Sequence, residues 1–328
     1  MTAMLETAIL RFSKLRRAPG SVWSEATKKQ APHKPLLLLS LLDLVARGVV
    51  NSSFIDVRED LVELNELFTN YWRRVVPIRQ TSSIAFPFSR LHNEPFWKLV
   101  PAANQELDRK TINSINTVTQ LRQVAVGGQI DTDLYTLLLK EENRSILRQV
   151  LLESCFSTAA IRELNDQAAI HAEAFSYNQD LLLKAQLPLV KEAVESANYR
   201  AMARDQGFRR AVVTTYDHRC ALCGIRIVTA EGHTAVDAAH IVPWSKTHND
   251  DIRNGMALCK LCHWAFDEGM VGVSDKYVVL TSRQIALKSN VPGSLQTLTG
   301  RLIVAPDDES FWPAQEYLRW HRREFRLI

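Results

Sequence analysis

The sequence predicts an α+β protein with a mainly helical N-terminal domain, a helical connector, and a small C-terminal strand–turn–helix domain stapled by metal. Three observations carry this. The leucine-dense run at residues 36–45 has the length and composition of a buried helix. An Ala-, Glu- and Gln-rich stretch from about 160 to 200, broken by Pro188, reads as connector helices. Two Cys-x-x-Cys pairs, Cys220/Cys223 and Cys259/Cys262, bracket a short strand-like run. The expected divisions are residues 1–160, 161–204 and 205–328.

An amphipathic helix is expected around Leu5 to Leu15, followed by a polar loop. Lys34-Pro35 introduces the leucine helix, and Gly48 with Asn51-Ser-Ser53 ends it. A second helix is expected from about Arg58 to Tyr71. Ile84 to Phe88 and Pro95 to Val100 read as extended segments. Apolar spacing through 134–139 and 146–152 predicts further helix. There is no internal repeat and no low-complexity tract.

Composition bounds the class. The chain has 328 residues, 46% hydrophobic and 23% charged, which fits an ordinary globular protein of two domains. A net charge of +4 suits an anionic partner without establishing one. No apolar stretch reaches membrane-spanning length, since residues 36–50 are broken by Asp43 and Arg47. The N-terminus has no signal-peptide pattern. Five cysteines, four of them committed to metal, suggest a reducing cytoplasm.

Each Cys-x-x-Cys turn brings two thiolates to one ion, and two turns complete a tetrahedral Zn2+ site of structural type. Gly224 suits the tight backbone of the first turn. Cys155 lies in an apolar helical run and reads as core. Between the pairs, residues 236–242 read as a strand ended by Pro243. Alternation puts Asp237 and Ala239 on one face and His240 on the other. Asn254-Gly255 marks a turn, with the helix carrying Cys259 directly after it. His263 and Asp267 share a helix face, an imidazole and a carboxylate suited to a catalytic divalent metal. His218, His233 and His248 read as surface residues.

Residues from roughly 205 to 275 resemble the HNH (ββα-metal) endonucleases in their four-cysteine form. The matching letters are Ala239-His240-Ile241, Asn254 within Arg253-Asn-Gly-Met-Ala-Leu258, and His263 within Cys262-His-Trp-Ala-Phe-Asp267. The resemblance implies that His240 is the general base, Asn254 holds the loop, and His263 binds the catalytic metal, such as Mg2+ or Mn2+. Many members carry an acidic ligand or a His just before the first His. Ala239 stands there in this chain, so Asp237 and Asp267 are the candidate acidic ligands. The implied chemistry is hydrolysis of a phosphodiester by water that His240 deprotonates.

Residues from roughly 10 to 160 resemble the sulfur-binding domain of type IV, modification-dependent restriction enzymes, which recognises phosphorothioate DNA. Ala31-Pro-His-Lys-Pro35 and its leucines, Phe86-Pro-Phe-Ser-Arg-Leu91 and Phe96-Trp-Lys-Leu99 carry the likeness. Phe86 stands where many members have Tyr. Sulfur is larger and less strongly hydrated than the oxygen it replaces, so such a reader needs an apolar cup beside cations. Phe86, Pro87 and Phe88 are candidates for the cup, and His33, Lys34, Arg79 and Arg90 for the donors to DNA. Together the resemblances imply a restriction-type endonuclease acting on modified, foremost phosphorothioate, double-stranded DNA. Cutting both strands implies a homodimer. The alternatives are an HNH nuclease reading methylated or unmodified DNA, and an inactive zinc-stapled DNA-binding regulator.

Overall fold

The computed structural model describes residues 3–189, 199–282 and 295–327, so part of the expected connector, 190–198, lies outside the described residues. The chain divides into two compact units, residues 1–171 with 230–233, and residues 172–229 with 234–328. Among the described residues no helix is long and apolar enough to cross a membrane.

The first unit is built from α1 (Ala3–Ser13), α2 (His33–Ala46), α3 (Leu61–Val75), α4 (Ala85–Arg90), α5 (Arg109–Ser114), α6 (Val118–Val124), α7 (Thr132–Leu138) and α8 (Glu141–Cys155). The leucine run forms α2, buried at every position from Lys34 to Val45. A helix apolar on all sides must be covered on all sides. Helices α3, α4 and α8 pack against it, and α1 packs on α8. Strands β1 (Phe54–Asp56), β2 (Trp97–Pro101) and β3 (Ala125–Ile130) form an antiparallel sheet in the order β1-β3-β2. Gly128 of β3 is required there, because a Cβ would lie 2.0 Å from the Trp97 ring.

The segment from Ile84 to Phe88, expected to be extended, is instead mostly helical in α4. Pro87 sits in the first turn, where its missing N–H has no intrahelical acceptor, so the helix tolerates it. A charged cluster is buried beneath. Asp43 on α2 accepts a hydrogen bond from the Tyr71 hydroxyl at 2.6 Å, lies 3.1 Å from His171 Nδ1, and pairs with Arg148. Burial alone would raise the Asp43 carboxyl, but Arg148 and His171 outweigh it and hold it below its ordinary value.

In the second unit, α9 (Thr158–Ala185) contributes its residues from 172 onward, and α10 (Ala201–Thr215) packs on a pair of strands. These are β4 (Val236–His240) and β5 (Gly255–Cys259), antiparallel, with Val236 opposite Cys259 and His240 opposite Gly255. The close fit of α10 leaves no room at Gly255, where a Cβ would meet Val212 at 2.6 Å. The expectation of a helix directly after Asn254-Gly255 is corrected: β5 intervenes, because buried Met256, Ala257 and Leu258 complete the pairing with β4. Cys259 ends that strand and caps α12 (Lys260–Asp267), following the short α11 (Trp244–Thr247) in the chain. Strands β6 (Val271–Val273) and β7 (Val279–Thr281) pair next, and a C-terminal helix, Gln315–Glu324, packs on β6.

His321 anchors this last helix. Its ring stacks on Phe266 at 3.6 Å and its Nε2 lies 2.9 Å from the Phe266 carbonyl. Burial pushes its pKa down to about 4.

Two expectations test this packing. Asp43→Ala strands Arg148 and should cost about 3–5 kcal/mol in urea unfolding; a cost within experimental error would mean that the cluster is not buried as described. The unfolded chain protonates His321 near its ordinary value of about 6.5, so this contribution is complete above that pH and is lost as pH falls toward about 4. Wild type should therefore lose about 2 kcal/mol more between pH 7 and pH 5 than His321→Phe does. Equal losses would refute the burial of a neutral imidazole.

Candidate functional site

The four cysteines converge. Their sulfur atoms all lie within 4.8 Å of one another, and Cys223 and Cys259 are 3.8 Å apart. Four thiolates about 2.3 Å from a tetrahedral ion are separated by about 3.8 Å, so the donor set fits a metal such as zinc. The first turn closes through Gly224 at φ +77, whose N–H donates to the Cys220 carbonyl at 2.8 Å. Cys223 and Cys262 together hold the Cys220 thiol well below its ordinary value, while Cys220 and Cys223 push Cys262 up. Four thiol groups sharing protons this closely are a donor set that a dication can take over as thiolates.

A cleft of about 420 Å³ opens beside this staple, lined by His240, His263, Asp267 and residues of the C-terminal helix. His240 ends β4, with its ring stacked on Phe208 of α10 at 4.1 Å and an interplanar angle of 7°. Its Nε2 lies 2.7 Å from Asp250 Oδ1. Asp250 is buried, and its other oxygen accepts from the Tyr177 hydroxyl at 2.9 Å and lies 3.0 Å from Arg204 Nε. Burial and the Asp250 charge keep the Tyr177 phenol protonated, so it remains a donor. The Arg204 guanidinium lies 3.8 Å from the Trp244 ring centroid, which limits its movement.

Asn254 is fully buried. Its Oδ1 accepts from Val242 N–H at 2.9 Å, and its Nδ2 donates to the carbonyls of Val242 and Asn249 at 3.0 Å each. One amide thus ties both ends of the loop that holds Asp250. His263 and Asp267 lie one turn apart on α12, with Nε2 and Oδ2 separated by 3.5 Å. Burial raises the Asp267 carboxyl, against the opposing charge of His263. An imidazole and a carboxylate facing a solvent-filled cleft fit a divalent cation that keeps several waters.

Asp237 is not brought to this cleft. On β4 it is Ala238 that shares the cleft with His240, whereas Asp237 is exposed and pairs with Arg209 Nε at 2.7 Å. The strand's alternation separates it from His240, so the acidic partner that the geometry offers is Asp267. The sequence reading missed Asp250, Tyr177 and Arg204. The only local signal was an acidic pair, Asp250-Asp251, between His240 and Asn254.

In the first unit, His33 starts α2 with its ring 4.8 Å from Trp72, 4.8 Å from Phe86 and 5.3 Å from Trp23. Its Nδ1 is buried without a hydrogen-bond partner among the described residues, and burial lowers its pKa to about 4. The Arg90 guanidinium lies 4.8 Å from the Phe86 ring centroid and donates to the carbonyls of Ile112 and Asn113. Pro87 and Phe88 are buried. Lys34 is buried in an ion pair with Glu94 at 2.5 Å, so it is held away from solvent. Arg79 is exposed on the loop after α3, where the Trp72 indole donates to the Gln80 carbonyl at 2.8 Å. His33, Phe86 and Arg90 therefore cluster, joined by Trp23 and Trp72, which the sequence reading did not single out.

Residues 11–172 match the family described as the ScoMcrA-like DNA sulfur-binding domain, and residues 220–274 match an HNH endonuclease family. No curated protein matches the chain. Among solved structures, a modification-dependent TagI restriction endonuclease is similar at 25% identity, with a TM-score of 0.27. The likeness covers 36% of this chain and 36% of that one, about a third of the relative's length. The chain thus carries a segment that matches the ScoMcrA-like DNA sulfur-binding family and, after it, a segment that matches an HNH endonuclease family.

Proposed function

We propose that this protein is a modification-dependent restriction endonuclease that reads modified, foremost phosphorothioate, double-stranded DNA and hydrolyses a phosphodiester near it. The observation that carries the nuclease half is the single cleft that contains His240, backed by buried Asp250, together with His263 and Asp267. The reading half rests on the His33 cluster within the segment that matches the sulfur-binding family.

His240 is the general base. Donating Nε2–H to Asp250 leaves the other ring nitrogen with its lone pair available for the proton of the attacking water. Asp250 stabilises the imidazolium that forms, and Tyr177 and Arg204 hold that carboxylate in place. General-base assistance is worth about 10²–10⁴-fold. His263 and Asp267 would hold the Mg2+ or Mn2+ ion, which supplies charge neutralisation at the scissile phosphate when bound. Zn2+ at the four cysteines fixes β5 to the turn that carries Cys220 and Cys223, and so fixes the frame of the site.

In the reader, a neutral His33 walled by Trp23, Trp72 and Phe86 offers a weakly hydrated surface suited to sulfur. The exposed Arg79 and the Arg90 guanidinium are the candidates to engage phosphate oxygens beside it. Two active sites, one from each copy of a homodimer, would sever both strands.

His240→Ala should lose at least about 10²-fold in cleavage while binding duplex as wild type does; undiminished cutting by that variant would remove the base assignment. His33→Ala should lose discrimination between phosphorothioate and unmodified duplex in a competition binding assay, and retained discrimination would refute the cup. Cys262→Ser should lower the zinc content measured by plasma emission from one ion per chain and destabilise the second unit by several kcal/mol. Unchanged stability in a zinc-free chain would contradict the staple.

A further inference from the structure

The C-terminal helix lies outside the segment that matches the HNH family, yet Trp320, His321 and Glu324 line the same cleft as His240 and His263. Its position is set by packing: His321 is locked on Phe266, and Arg322 donates to the Val273 carbonyl at 2.7 Å. On this wall Glu324 Oε1 lies 2.8 Å from Lys246 Nζ, and the same ammonium lies 4.6 Å from the Trp320 ring centroid. Both side chains of the ion pair are about half exposed, at 50% and 44%.

Lys246 is the single lysine or arginine among the residues lining the cleft. A phosphodiester must enter that cleft with its negative charge, and the one permanent cation there is already neutralised by a carboxylate. A half-exposed ion pair is worth less than about five-fold in equilibrium, so an incoming phosphate can exchange for it. The Trp320 ring keeps the ammonium in the cleft after the carboxylate leaves.

We propose that Lys246 is a phosphate-binding residue of the nuclease cleft and that Glu324 occupies it until DNA arrives, an autoinhibitory contact supplied by the C-terminal helix. The proposal rests on the nuclease reading above. It requires that the gain from removing Glu324 disappear once Lys246 is removed, which a general change of surface charge would not do.

The test uses the full chain with His240→Ala as the parent, without divalent metal, and a short unmodified duplex read by fluorescence anisotropy over a salt series. Glu324→Gln should tighten binding by about two- to five-fold. Lys246→Ala should weaken it and lower the slope of log K against log salt by about one. The double variant should behave as Lys246→Ala alone. Unchanged or weaker binding by Glu324→Gln would overturn the proposal, as would an unaltered salt slope in Lys246→Ala. A Glu324 that instead ligates the catalytic metal would leave this metal-free affinity unchanged and weaken Mn2+ binding, which also overturns it. A parent with no salt-dependent duplex binding would overturn the nuclease reading itself, and this inference with it.

Discussion

The geometry of the second unit turns on one buried carboxylate. Asp250 receives the Tyr177 hydroxyl and the His240 imidazole and lies beside the Arg204 guanidinium, so three helices or strands meet at its two oxygens. Burying a carboxylate is costly unless it is paired and hydrogen-bonded, and Asp250 has both a hydroxyl donor in Tyr177 and a guanidinium beside it in Arg204. The same contact fixes the orientation of the His240 imidazole. Asn254 holds the loop from beneath, and the four cysteines hold the strand end and the start of α12. The contacts that hold this part of the fold therefore also hold the His240 side chain.

On the proposed reading, the first unit faces a different problem. DNA readers usually gain affinity from exposed cations, but discrimination between sulfur and oxygen requires a surface that water solvates poorly. Here Lys34 is tied to Glu94, and Arg90 is anchored on backbone carbonyls while its guanidinium lies over Phe86. What remains beside His33 is aromatic. Burial keeps that imidazole neutral at physiological pH, so it adds no charge that would favour ordinary phosphate equally.

Much of this was legible in the sequence because the chemistry is local in the chain. Cysteine pairs, the one-turn spacing of His263 and Asp267, and the leucine run each express a geometry that backbone periodicity alone dictates. The misses share a cause. Asp250 gains its role from Tyr177 and Arg204, which lie far away in sequence, and Trp23 and Trp72 meet His33 only through tertiary packing. Strand β5 was hidden because its last residue belongs to a cysteine motif that also starts a helix. Asp237 was placed by alternation on the face opposite His240, and the fold keeps it there, paired with Arg209.

The central claim is that a reader of DNA modification directs this nuclease. The most direct measurement is metal-dependent cleavage by the wild-type chain of matched duplexes. They carry either phosphorothioate diastereomer, 5-methylcytosine or no modification, at near-physiological salt. The account predicts cutting near one sulfur diastereomer and little elsewhere. Equal cutting of all four would contradict it.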